Sequence, residues 1–199
     1  MINRFLIILL IFSCKEENTL FEKVSENTSN IRFRNDLVEN EKFNLIEYLY
    51  FYNGGGVTTG DINNDGLIDI YFSSNQGANK LYLNKGDLNF TDITEKAGLN
   101  SEEEWKTGVN MVDINGDGLI DIYQTRLGGY KNVSGKNQLF INNGDLTFTE
   151  RAEEYGLDFE GFSTHSAFFD YDGDGDLDIY LLNHSVHTER SYGNYKLRF

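Results

Sequence analysis

Three observations predict an all-β protein, a partial β-propeller built of four-stranded blades. One acidic loop occurs three times, as DINNDGLIDIY from Asp61, DINGDGLIDIY from Asp113 and DYDGDGDLDIY from Asp170. The copies start 52 and 57 residues apart. Each loop runs into apolar and aromatic stretches that are too short for helices and have the composition of strands. Four short strands per unit, recurring at about 50 to 60 residues, is the pattern of a propeller blade.

The second unit shows the elements in order. Thr107 to Ile114 leads into the loop as the first strand, and Leu119 to Thr125 leaves it as the second. Gln138 to Asn142 reads as the third strand and Leu146 to Glu150 as the fourth, joined through the turn Asn143-Gly144-Asp145. The first unit repeats this plan, since Asn79-Lys80-Leu81-Tyr82-Leu83-Asn84 matches Asn137-Gln138-Leu139-Phe140-Ile141-Asn142. Leu-x-Phe-Thr follows at 88 to 91 and at 146 to 149, and each unit closes in Gly-Leu, at 98 to 99 and 156 to 157. The third unit supplies only a first half, ending in Asp178-Ile179-Tyr180-Leu181-Leu182. Ahead of the first unit, Ile31 to Arg34 reads as a strand that pairs with the last blade of a ring.

The loops carry the chemistry of a hard cation. Calcium takes six to eight oxygens in a flexible shell, and carboxylates at alternate positions of a tight turn converge on one point. The side-chain ligands are then the first, third, fifth and ninth positions: Asp61, Asn63, Asp65 and Asp69; Asp113, Asn115, Asp117 and Asp121; Asp170, Asp172, Asp174 and Asp178. Position seven, which is Leu67, Leu119 or Asp176, offers its backbone carbonyl. Gly66, Gly118 and Gly175 stand at position six, where the chain bends sharply and a side chain is expected to obstruct. An EF-hand loop needs an acidic residue at position twelve and flanking helices. Here position twelve is Phe72, Gln124 or Leu181, at the end of an apolar run.

Charge and composition exclude other classes. With 17 Lys and Arg against 32 Asp and Glu, the chain carries a formal charge of -15 and repels nucleic acid and anionic lipid. Aromatic residues at 14% supply the apolar surface that disordered chains lack. There is no proline, for which the sequence offers no structural reason.

Residues 1–13, MINRFLIILLIFS, combine one cation at Arg4 with a run of eight apolar residues from Phe5 to Phe12. Eight helical residues span about 12 Å against a hydrocarbon core of about 30 Å, so the segment reads as a secretion signal. The one cysteine follows at once, and Ile11-Phe12-Ser13-Cys14 resembles the lipobox of bacterial lipoproteins. That resemblance implies cleavage before Cys14 and acylation of it, so that the membrane is met only through a lipid anchor. Cys14-Lys15-Glu16-Glu17 is similar to signals that send lipoproteins of Bacteroidetes-type bacteria to the outer face of the outer membrane. Residues 14–30 are mostly polar and read as a flexible tether, leaving 31–199 as the propeller region.

From about Phe51 to Asn183, the loops and the NKLYLNKGDL-type segments resemble the FG-GAP or VCBS repeat family, whose blades build the calcium-binding propeller of integrin alpha subunits. More narrowly the chain is similar to bacterial VCBS-repeat lipoproteins related to ASPIC/UnbV-domain proteins. The resemblance implies a ring of about seven blades, within the range of about 4–8 for propellers, so two units and a half read as a fragment of one. The resemblance implies about three Ca²⁺ ions and a non-enzymatic outer-membrane lipoprotein, on its periplasmic or surface-exposed face. Its partner is a protein or glycan at the cell surface, and it acts as an adhesion or scaffold module. The alternative is the propeller part of a polysaccharide-active lyase or hydrolase with catalytic residues elsewhere. No catalytic constellation is visible in the chain: no G-x-S-x-G or phosphate-binding loop occurs. His165 reads as a buried, hydrogen-bonded strand residue, and His184 and His187 as part of an exposed loop.

Overall fold

The computed structural model describes residues 20–100, 104–131 and 133–185, and the residues of the signal segment, Cys14 and His187 lie outside these. Two four-stranded antiparallel sheets and one two-stranded sheet follow one another along the chain. The first sheet holds β1 (Val57–Gly60), β2 (Asp69–Phe72), β3 (Lys80–Asn84) and β4 (Phe90–Asp92) in sequence order. The second repeats it with β5 (Lys106–Val112), β6 (Asp121–Arg126), β7 (Gln138–Asn142) and β8 (Phe148–Glu150). The third is β9 (Ser163–Phe169) paired with β10 (Asp178–Asn183). This nearly all-β arrangement is that of two propeller blades and the inner half of a third. Helix is confined among the described residues to two single turns, α1 (Glu26–Ser29) and α2 (Thr94–Ala97). Neither is long and apolar enough to cross a membrane.

The strands stop where side chains take over the backbone bonds. β5 ends at Val112 rather than Ile114, because the Ile114 N–H turns inward to the Asp121 carboxylate at 3.1 Å. β6 starts at that same Asp121 rather than at Leu119. In the third-to-fourth strand turn, Leu146 sits at φ 68°, outside the strand region, so β8 begins two residues later.

The core lies between consecutive blades. Tyr71, Leu81 and Ile93 of the first unit pack with Val109, Ile122 and Phe140 of the second. Tyr123, Leu139 and Ile141 of the second pack against Phe168, Ile179 and Leu181 of the third. The same Asp-Ile-Tyr run therefore has different surroundings in each copy: Tyr71 and Tyr123 are 0% and 1% exposed, whereas Tyr180 is 62% exposed. A blade buries the tyrosine of the preceding one, and among the described residues none follows β10.

The segment before the first blade differs from its sequence reading. Ile31 to Arg34 joins no sheet; Phe33 stacks on Phe72 at 4.7 Å, and the Arg32 N–H donates to the Tyr82 hydroxyl at 3.1 Å. The run thus lies against the first blade as irregular chain. The end of the stretch read as tether forms the single turn α1, capped by Ser25, and Asn30 ties it to the first blade by donating its amide to Asn89 at 2.7 Å. Further on, Phe43, Tyr48 and Phe51 meet Trp105 in an aromatic cluster. His184 belongs to it rather than to an exposed loop: its Nε2 lies 2.9 Å from the Tyr48 hydroxyl, and its ring lies 4.3 Å from that of Tyr50. Burial there lowers the His184 pKa, which disfavours the charged ring among its aromatic neighbours.

Candidate metal centres

Each acidic loop connects the first two strands of its unit, and three backbone donors turn it inward on its own carboxylates. Asp61 accepts the N–H groups of Asp65 at 3.1 Å and Gly66 at 2.7 Å. Asp113 accepts those of Asp117 at 3.1 Å and Gly118 at 2.9 Å. Asp170 accepts those of Gly173 at 2.7 Å and Gly175 at 3.1 Å. The fifth-position carboxylate in turn accepts the position-seven N–H: Leu67 on Asp65 and Leu119 on Asp117, both at 2.8 Å, and Asp176 on Asp174 at 3.1 Å. With its N–H so engaged, position seven leaves its carbonyl for another partner.

The glycine at position six is required for a reason other than the expected one. A Cβ on Gly66, Gly118 or Gly175 would meet nothing within 4 Å. Their φ values of 85°, 85° and 96° are what exclude side chains. Position four shares this left-handed turn, as Asn64 (φ 57°), Gly116 (71°) and Gly173 (79°), a regularity the ligand pattern passes over.

The predicted ligands do not stand alike. In the third loop Asp170, Asp172 and Asp174 bring carboxylate oxygens within 4.8 Å of one another, all exposed. In the first two, Asn63 and Asn115 turn their amide nitrogens to Asp65 and Asp117, at 3.0 and 2.9 Å. Their amides must present the oxygen instead in order to ligate a cation.

Position nine has a second task. Asp69 is fully buried and accepts the Ile62 N–H at 3.0 Å on one oxygen and the Asn84 N–H at 2.7 Å on the other. Asp121 does the same for Ile114 at 3.1 Å and Asn142 at 2.8 Å. Asp178 accepts the Tyr171 N–H at 2.8 Å. One carboxylate thereby ties the loop to the third strand of its blade. Burial raises the pKa of Asp69 and Asp121; the two backbone bonds oppose the shift, and the neighbouring loop carboxylates reinforce it. In the third loop Asp174 is lowered by the Asp176 backbone N–H, whereas Asp176 is raised by its side-chain bond to Asp174.

The donor set fits a hard divalent cation. In the third loop three carboxylates converge, every loop carries at least three acidic residues, and a dication would relieve the repulsion among them that adds to the effect of burial on Asp69 and Asp121. Position seven of the third loop adds a fifth acidic residue, Asp176, so that loop is the most negative of the three.

Asparagines other than the predicted ligands complete the frame. Asn142 donates to the Ile62 carbonyl of the first loop at 2.8 Å and to Ile120 of its own at 3.1 Å, and Asn64 donates to the Gly118 carbonyl at 3.0 Å. The first and second loops are thus in direct contact. Asn79 and Asn137 accept backbone N–H groups of Ser74 and Arg126, at 3.2 and 2.9 Å. Their recurrence in the repeat was the available signal; their partners lie up to 80 residues away. His165, read as buried, is exposed, because Ser163 and Ser166 take the buried positions of β9.

A blade of four antiparallel strands, an acidic loop joining its first two strands and a core between consecutive units define a repeat propeller. The FG-GAP-like repeat family matches residues 61–123 and 127–181, more than half of the chain, and the protein belongs to that family. Cartilage acidic protein 1 of Xenopus tropicalis is 31% identical over 137 residues, which cover 66% of this chain and 20% of that protein. The human protein of the same name is 30% identical with the same coverage, and that of Mus musculus is 29% identical over 138 residues. The matched region spans about a fifth of the length of these relatives.

Proposed function

We propose that the protein is a calcium-binding FG-GAP module of the cell envelope, attached through an acylated Cys14, and that it works by binding or scaffolding rather than by catalysis. The convergence of three carboxylates in the third loop, on a frame repeated in the first two, supports this reading above all. Asp61, Asn63, Asp65, Asp69 and the Leu67 carbonyl would hold the first ion. Asp113, Asn115, Asp117, Asp121 and the Leu119 carbonyl would hold the second. Asp170, Asp172, Asp174, Asp178 and the Asp176 carbonyl would hold the third. Bound Ca²⁺ supplies charge neutralisation and pins the turn between the first two strands of each unit.

In an extracellular module with Kd near 10⁻⁴ to 10⁻³ M, about 10 mM calcium adds roughly 1.4 to 2.7 kcal/mol per site. Thermal melting of the chain should therefore fall markedly on transfer from calcium to EGTA. Coincident melting curves in the two media would overturn the calcium assignment. The lipoprotein reading rests on the Ile11 to Cys14 pattern, and the relation to ASPIC/UnbV-domain proteins on the repeated loop and NKLYLNKGDL-type segments. It places the module on the outer membrane, where a protein or glycan of the cell surface is its ligand.

A further inference from the structure

The strands also have an end remote from the acidic loops. β1 runs toward the first loop, so Gly54 to Gly56 lie at its far end; Trp105, Thr107 and His165 lie at or near the far ends of β5 and β9. There the inner strands enclose a cavity of about 290 Å³ lined by these residues and by Tyr48 and Tyr50. Although a quarter of the chain is charged, no Asp, Glu, Lys or Arg lines the cavity among the described residues. The lining consists of aromatic rings, amides, hydroxyls, glycine backbone and one imidazole.

The repeat assigns His165 a position that packing does not require it to fill. Five residues before the first aspartate of each loop stand Gly56, Gly108 and His165. A Cβ on Gly56 would lie 2.9 Å from the Val109 nitrogen and 3.0 Å from the Thr107 oxygen; one on Gly108 would lie 2.5 Å from the Thr164 oxygen. In the first two units this position must be bare for the next inner strand to approach. In the third it carries an exposed imidazole that lines the cavity. Tyr50 lines it as well, with its ring held against His184, whose Nε2 is engaged by Tyr48.

We infer that this cavity binds a neutral pyranose unit of a glycan, with Tyr50 as the stacking ring and His165 as a hydrogen-bonding group to its hydroxyls. An apolar ring face bordered by hydroxyls is complementary to an aromatic wall with a few neutral polar groups. The absence of cationic lining residues in an acidic chain selects against uronates and phosphates. The inference rests on the reading of the protein as a binding module and deepens it.

The test titrates the full chain in calcium with glucose, galactose, mannose, xylose and N-acetylglucosamine, and with glucuronate and galacturonate as anionic controls. Tryptophan fluorescence and calorimetry follow each to about 20 mM, the range needed for millimolar affinity. At least one neutral sugar should saturate, and His165→Gly and Tyr50→Ala should each weaken it about tenfold or more. His165→Gly removes an exposed side chain and restores the residue of the other units, so the melting temperature should fall by no more than a few degrees, the cost of a glycine within a strand. Saturation by uronates alone, saturation by none, or unchanged affinity in His165→Gly would overturn the inference. Sugar binding that persists in a protein whose melting ignores EGTA would remove the calcium reading and leave this one standing.

Discussion

Asp69 and Asp121 show how one carboxylate serves a loop and a sheet together. Each satisfies two backbone donors from different elements. Asp121→Ala orphans both, and with about 1–3 kcal/mol for each buried unsatisfied group it should cost roughly 2–6 kcal/mol. Urea unfolding in EGTA, where calcium contributes nothing, measures this; a loss under about 0.5 kcal/mol would contradict the dual role. Backbone strain gives a second residue-scale expectation. Leu88 and Leu146 hold equivalent left-handed positions, at φ 58° and 68°. Leu88 is 55% exposed, whereas Leu146 packs against the core. Leu88→Asn should therefore stabilise the chain by about 0.5–1 kcal/mol by relieving an αL leucine, while Leu146→Asn destabilises it through lost burial. Paired thermal melts of the two variants check the contrast. The aspartates were legible as ligand types from their spacing alone. Their bonds to Asn84 and Asn142 were not, because a linear pattern does not say which distant N–H a buried carboxylate will meet.

Strands and loops recur as units, and their junctions set how closely the units stack. Gly108 allows β5 to approach β9, where a Cβ would collide with the Thr164 backbone oxygen. Backbone cannot rotate away as a side chain can, so Gly108→Ala should cost about 1–3 kcal/mol, as overpacking does. Adding His165→Gly should not restore the loss, since the Thr164 oxygen stays in place. Denaturation of the single and double variants measures both. Strand order, hairpin pairing and the extent of β7 follow from the period of the repeat. The other boundaries shift by up to two residues because Asp121 and the left-handed Leu146 divert backbone that a ladder would use.

For the molecule as a whole, the arrangement separates two ends. Acidic loops gather at one, where Asn64 and Asn142 join the first to the second, and an uncharged cavity opens at the other. Eleven of the 32 acidic residues lie in the loops, so much of the net charge is concentrated there. The melting shift between calcium and EGTA should accordingly grow at low ionic strength, where repulsion within the metal-free loops is less screened. Packing also distributes the tyrosines unequally. Tyr71 and Tyr123 are core residues because a neighbouring sheet covers them, and the chemically identical Tyr180 is surface.

The sequence by itself determined the class of fold, the number of acidic loops and the residues able to ligate within them. All of these depend on short-range order: turn residues at fixed offsets and strands of fixed length. Tertiary structure alone decided that position nine braces the third strand, that Ile31 to Arg34 packs outside the sheets, that His184 joins an aromatic cluster and that His165 faces a cavity. Each of these depends on contacts between residues far apart in the chain, where burial and hydrogen-bond satisfaction are set by the neighbouring unit and not by the residue's own repeat.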